Sequence, residues 1–484
     1  MHSVSLFPFL LALQCLAHAG PIEPGLLPNG DQHAMIDRRY GMFIHFGINT
    51  FSGHEWTNGT LKPEIYNPTN LDTDQWARTA KEAGMSYVIL ITKHHDGFCL
   101  WNSPQTEYDV ATSPVKTDVV AAMAKSCKKY GMKLGLYYSL WDRNWDNGVM
   151  RGDKPKISEE KSREYLAYMK SQLTELLANY GDVCELWFDG GWVLPREQWH
   201  IAEVYAHCKK LQPRCLVGIN WSIGQFGNVD HHPIRPKDYR IGQPMRYYPG
   251  DFRLGDPELP VFPDVKHFAG PDGRLHYLPF ETTVCLNKHW FWQPYDQDIR
   301  SVAELLPLYE RSTAQDNVLI LNSPPNRDGL MDQRNIDRLK ELSIALGAKP
   351  GAPVPADLSA DAIAFADSVW TADPGDWSAR AAIDGNPDTR WAAATTTPTI
   401  TLTWPAARTI SMLRIREHFD RVRAFEVETN TSGKWTQVHK GTTIGPNSII
   451  RFPATTTTAV RMKITQAAEP PSFIHISAAD PRSK

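Results

Sequence analysis

Glu185-Leu186-Trp187-Phe188-Asp189-Gly190-Gly191-Trp192 is an apolar run that ends on one carboxylate and breaks at once into two glycines. It reads as a short strand with Asp189 at its carboxyl end, flanked by the flat apolar faces of Trp187 and Trp192. In barrels of eight β/α units, catalytic side chains come from the carboxyl ends of the strands. An Asp after a strand also serves as the N-cap of the next helix. The window alone leaves both roles open.

Working outward, strand-like and helical patterns alternate from about residue 35 to 345, as β/α units require. Strand-like runs cover Met42 to Phe46, Tyr87 to Thr92, Leu134 to Tyr138, Cys184 to Phe188, Cys215 to Ile219 and Val318 to Asn322. Helical patterns cover Leu71 to Ala83, Val119 to Tyr130, Glu159 to Tyr180, Gln198 to Leu211 and Gln333 to Leu346. No glycine-rich dinucleotide or phosphate loop follows a strand, which argues against a nucleotide enzyme. Residues 221–280 are rich in Pro, Gly, Asp and Arg and are read as a long loop over the barrel mouth. A Pro-rich linker occupies 348–358, and short alternating Thr- and Val-rich runs predict a β-sandwich over 359–484. The fold expected is therefore α/β: a (β/α)8-type barrel over 20–347, followed by a C-terminal β-sandwich.

The formal net charge of -3 gives no basic surface for nucleic acid or an anionic membrane. Residues 1–19 hold the apolar run Leu6 to Leu13 and end in Ala17-His18-Ala19, a small-x-small cleavage pattern. This is the form of a signal peptide and too short for a membrane span, so the mature chain is expected to be secreted or periplasmic. Six cysteines lie beyond it, Cys99, Cys127, Cys184, Cys208, Cys215 and Cys285, with no C-x-x-C pair to form a zinc ribbon. They read as buried thiols, with one or two disulfides open to an exported protein.

Polar groups gather at strand ends: His45, the cluster His94-His95-Asp96, Tyr138 and Asp189. All would converge on one ligand at the same end of a barrel. Two histidines and an Asp raise the question of a metal. Neighbouring residues on a strand point to opposite faces, however, and no H-x-H or H-x-x-x-H spacing is present. Hydrogen bonding to hydroxyl groups fits better; histidines satisfied inside the barrel core are the plainer alternative. If Asp189 cleaves a glycoside through a covalent intermediate, a second carboxyl group must stand about 5–5.5 Å away. Glu258, in the mouth loop, and Glu281, as fallback, are the candidates.

Met42-Phe43-Ile44-His45-Phe46-Gly47, Gly53-His54-Glu55-Trp56 and Thr92-Lys93-His94-His95-Asp96-Gly97-Phe98 occur in that order. Leu136-Tyr137-Tyr138-Ser139, Leu186-Trp187-Phe188-Asp189-Gly190 and Leu321-Asn322-Ser323-Pro324-Pro325 follow. Together they resemble glycoside hydrolase family 29, the α-L-fucosidases, across about residues 35 to 347. The resemblance implies a retaining exo-hydrolase that removes terminal α-L-fucose from a glycan without cofactor or metal. It implies Asp189 as nucleophile and a sugar pocket of His45, Glu55, Trp56, His94, His95, Tyr138 and Trp187. The pattern looks nearer the subgroup acting on α-1,3/1,4-linked fucose. Ala382 to Trp391, with Arg416-Glu417, Phe425 to Val427 and Trp435, resembles discoidin-like (coagulation factor 5/8 C-type) domains, some of which contact glycans. A fucose-binding lectin that has lost its acid, or a retaining glycosidase for another sugar, are the competing readings.

Overall fold

The structure is a computed structural model that describes residues 28–479 apart from 226–229, 261–263, 297, 348–356, 373–374, 385–388 and 446–447. The expected signal peptide and nearly all of the expected linker lie outside the described residues.

Eight parallel strands form the barrel: β1 (Tyr40–Ile44), β2 (Tyr87–Lys93), β3 (Lys133–Ser139), β4 (Val183–Asp189), β5 (Leu216–Ile219) and β6 (Phe252–Arg253), then β9 (Glu281–Cys285) and β10 (Val318–Asn322). Between β6 and β9 lies a small antiparallel hairpin, β7 (His267–Ala269) with β8 (Leu275–Tyr277). The strands run in the order β6-β5-β4-β3-β2-β1-β10-β9, and a parallel bridge from Arg253 to Phe280 nearly closes the ring. At that seam the Arg253 guanidinium is fully buried and paired with Asp264 at 2.7 Å. Most of the strands are apolar on both faces because helices cover the outside and side chains fill the inside. Phe43, Tyr87, Ile89, Ile91, Tyr137, Trp187, Leu216, Phe252, Val318 and Ile320 fill the interior, with Met35 from the helix Gly30–Arg38.

Helices follow five of the strands at Thr73–Glu82, Val119–Tyr130, Glu159–Asn179, Ile201–Leu211 and Val302–Thr313, and Gln333–Ala345 follows β10. Side chains start several of them: Asp72, Asp118, Ser158 and Ser301 each accept from a backbone N–H of the first turn. Among the described residues no α-helix links β5 to β6 or β6 to β9; only the single 3-10 turn Pro236–Asp238 lies between β5 and β6. Residues 221–280 are therefore not a bare loop. They contain β6 and the hairpin, and pack their own core of Ile223, Tyr239, Met245, Phe268, Leu278 and Phe280.

The C-terminal domain is antiparallel, built on two long bulged strands, Thr399–Glu417 and Ser448–Ala467. The short runs expected in this domain are partly merged: Thr399 to Trp404 and Met412 to Arg416 belong to one strand. Trp391 is fully buried against Phe473, with ring centroids 5.1 Å apart. This domain meets the helix Gly30–Arg38: Arg414 donates to Asp37 at 3.0 Å, and Arg416 reaches His33. That helix plugs the amino end of the barrel, so the sandwich docks opposite the mouth. All six described cysteines are free thiols, and no described helix is long and apolar enough to cross a membrane.

Candidate active site

A cavity of about 160 Å³ opens at the carboxyl ends of the strands. Its lining includes His45, Glu55, Trp56, His94, His95, Trp187 and Asp189 from the sequence-derived set. Tyr137, Trp192, Asn220, His231, His232, Asp256 and Trp290 complete most of the wall.

Asp189 ends β4 and caps no helix; its carboxylate is spent inside the cavity. Oδ2 accepts from the Tyr137 hydroxyl at 2.8 Å. Oδ1 accepts from Asn220 Nδ2 at 3.1 Å and from the Gly190 backbone at 2.9 Å. Gly190 has φ +76, and a Cβ there would lie 2.7 Å from Trp141 Cβ, so only glycine makes this turn. Burial lifts the Asp189 carboxyl to about 6, against the three hydrogen bonds that favour its charged form.

The same Asn220 Nδ2 also donates to Asp256 Oδ1. One nitrogen thus touches an oxygen of each carboxyl group. Those two oxygens lie no further apart than two hydrogen bonds end to end, a limit that admits the ~5 Å of a retaining pair. Burial, then the negative charge of Asp189, raises Asp256 to about 7. The two carboxyl groups are therefore pushed toward opposite protonation states at near-neutral pH.

Hydrogen bonding fixes the histidine tautomers. Ser139 gives its proton to the Trp141 carbonyl at 2.6 Å, so His95 Nδ1–H must donate to Ser139 at 2.7 Å. The lone pair of His95 Nε2 then faces the cavity, 3.7 Å from Asp189 Oδ2. His45 Nδ1–H donates to Asn322 at 2.7 Å and leaves its Nε2 an acceptor as well. His94 Nδ1 accepts from Asn49 at 3.3 Å, which makes its Nε2 a donor. Burial lowers His45 to about 3 and holds His94 and His95 well below the usual imidazole range, so all three are neutral. Glu55 accepts from the Trp290 and Phe291 backbones at 3.2 and 3.3 Å, and burial raises it to about 7. Above this polar set, Trp56, Trp192 and His231 form an aromatic wall, with His231 stacked on Trp192 at 3.7 Å.

Four expectations change. Adjacent His94 and His95 do not diverge: β2 ends at Lys93, so strand alternation no longer applies and both rings face the cavity. With Asp189 they bring ligand atoms within 4.8 Å of one another, a set that could hold an ion. His95 Nδ1 and His94 Nδ1 are already bonded and Asp189 already accepts three donors, so hydroxyl recognition suits the set better. Tyr138 is not in the cavity. Tyr137 and Ser139 occupy the inward face of β3, so Tyr138 points outward, donating to Gln172 at 2.7 Å and accepting from Lys93 at 2.9 Å. Glu258 is not at the cavity either: it sits at the surface in an ion pair with Arg235. Glu281 begins β9, at the amino end of the barrel interior. It is fully buried, bonded to Tyr87 and Trp187, and out of reach of a glycosidic oxygen.

The groups missed from sequence, Tyr137, Asn220 and Asp256, had partial signals. Tyr137 shares parity with Ser139, which pairs with Asp189. Asn220 directly follows a strand, as Asp189 ends one. Asp256 stands two residues before Glu258, but a carboxylate search confined to Glu passes over it.

The family profile described as Alpha-L-fucosidase matches residues 31–348, and that described as F5/8 type C domain matches residues 366–477. Alpha-L-fucosidase 1 of Arabidopsis thaliana is 30% identical over 453 residues, covering 90% of this chain and 83% of that protein. Alpha-L-fucosidase of Dictyostelium discoideum is 28% identical over 347 residues, covering 63% of this chain and 68% of that protein. Among solved structures, the crystal structure of SpGH29 matches with a TM-score of 0.60 at 26% identity, covering 94% of this chain and 98% of that one.

Proposed function

The chain is an enzyme of the α-L-fucosidase family, with a C-terminal F5/8 type C domain, and from that premise we propose that it hydrolyses terminal α-L-fucosides with retention, Asp189 acting as nucleophile and Asp256 as acid and base. The observation that carries this reading is the amide of Asn220 shared between the two carboxyl groups. Only these two carboxylates of the cavity are joined in this way among the described residues, and Glu55 is turned toward the Trp290 and Phe291 backbones.

In the first step an oxygen of Asp189 forms a bond to the anomeric carbon while the glycosidic C–O bond breaks. Asp256 gives its proton to the departing oxygen. In the second step Asp256, now a carboxylate, takes a proton from water. The water oxygen attacks the anomeric carbon and Asp189 leaves, releasing fucose. Tyr137 and Asn220 hold Asp189 ionised and aimed before attack. Neutral His45 and His95 accept from ring hydroxyls, His94 donates to one, and Glu55 takes another. Trp187 and Trp290 face the apolar side of the sugar. The natural substrate in this reading is a fucosylated glycan whose remaining rings lie along the Trp56, Trp192 and His231 wall. The chain is exported after cleavage near Ala19.

Two measurements test it. A 2-fluoro-fucosyl fluoride should leave a stable ester on the peptide containing Asp189; label on any other residue removes the nucleophile assignment. Asp256→Ala should slow fucosides with poor leaving groups by about 10²–10⁴-fold and those with good leaving groups far less. Equal loss on both would take the proton from elsewhere.

A further inference from the structure

Beneath the cavity lies a second carboxyl pair that the reaction does not use. Glu281 is fully buried: one oxygen accepts from Trp187 Nε1 at 3.0 Å, the other from the Tyr87 hydroxyl at 2.9 Å. Beside it Glu185, also fully buried, is paired with the guanidinium of Arg38. Arg38 belongs to the helix that plugs the barrel, and its guanidinium lies 4.6 Å from the Tyr87 ring.

Above, Trp187 is part of the cavity wall, and its indole stacks on Tyr137 with centroids 5.3 Å apart and planes at 25°. Tyr137 in turn donates to Asp189. A continuous set of contacts therefore runs from the plug helix through Glu281 and Trp187 to the reacting carboxylate. We propose that Glu281 is a positioning residue, anchoring the indole N–H so that Trp187 both walls the sugar site and fixes Tyr137 against Asp189. Nothing else described accepts the indole proton. Without Glu281 the buried indole N–H has no acceptor, which favours a shifted ring and loosens the surface on which Tyr137 stacks. Burial and then the charge of Glu185 keep Glu281 well above the usual carboxylate range, which suits a group that holds position without adding a second buried charge.

The proposal rests on Asp189 as the ionised group, and its test separates the two ideas. Tyr137's hydrogen bond favours charged Asp189, so loosening Tyr137 raises the acid-side pKa of kcat/KM. Glu281→Ala and Trp187→Phe, which keeps a ring but lacks the N–H, should each lower kcat by roughly ten- to a hundredfold and shift that limb to higher pH. Glu281→Gln keeps an acceptor and should stay within a few-fold of the native enzyme. In the Trp187→Phe background Glu281→Ala should add nothing. Additive losses, or an acid limb unmoved in Trp187→Phe, overturn the proposal, and the second readout holds even if Glu281→Ala does not fold. A loss in Glu281→Ala confined to poor leaving groups would instead make Glu281 the proton donor and undo the Asp256 assignment.

Discussion

Two carboxyl pairs stand at opposite ends of the barrel, one lining the mouth and one fully buried at the floor, and they have opposite fates. At the mouth, Asp189 and Asp256 share the amide of Asn220 and border the cavity. At the floor, Glu185 and Glu281 are sealed by Arg38, Tyr87 and Trp187. Removal from bulk water, partial for Asp256 and nearly complete for the other three, is common to both. What differs is the counter-group. A neutral amide leaves the upper pair free to exchange a proton, whereas a guanidinium ties down the lower one. Burial raises a carboxyl group's pKa, but access decides whether that proton does chemistry.

The largest effect should come from the mouth. Asp189→Asn should cost roughly 10⁴-fold in turnover while thermal unfolding stays within a few degrees of the native enzyme. Retained turnover would erase the contrast between the two ends. At the floor the reverse holds: Glu185→Ala leaves Arg38 buried without its partner and should destabilise by about 3–5 kcal/mol in urea unfolding. A stable variant with lost activity would mean that the floor takes part in the reaction.

The pH profile sharpens the comparison further. On the proposed mechanism the productive enzyme has Asp189 ionised and Asp256 protonated. With these groups raised to about 6 and about 7, kcat/KM should fall as pH drops through the first value and again as it rises through the second. Asn220→Ala removes a donor that favours the charged form of both, so both limbs should move up by about one pH unit. Movement of one limb only would show that Asn220 serves a single carboxylate. The smallest effect belongs to Glu258→Ala. Its surface ion pair with Arg235 should make it neutral within about 0.5 kcal/mol and leave the rate unchanged.

Strand ends that carry both periodicity and chemistry were readable directly. Asp189 closes an unbroken apolar run, and His94 and His95 follow another. Two barrel strands were not readable. β6 is two residues long, and β9, Glu281-Thr282-Thr283-Val284-Cys285, is too polar to stand out as apolar. Tyr137 and Tyr138 are chemically identical neighbours, and one residue of strand phase decides which meets Asp189. Asp256 lies where no periodicity exists, so no local pattern could rank it above Glu258.

Sequence alone determined the barrel with its trailing sandwich and the carboxylate at the end of β4, because apolar runs and the residues that stop them are local properties of the chain. Tertiary structure decided which second carboxyl group stands beside Asp189, which tyrosine holds it and which glutamates stand away from the cavity. Those outcomes depend on distances between segments far apart in the chain, set by barrel closure and by the packing of residues 221–280, and no window of sequence records them.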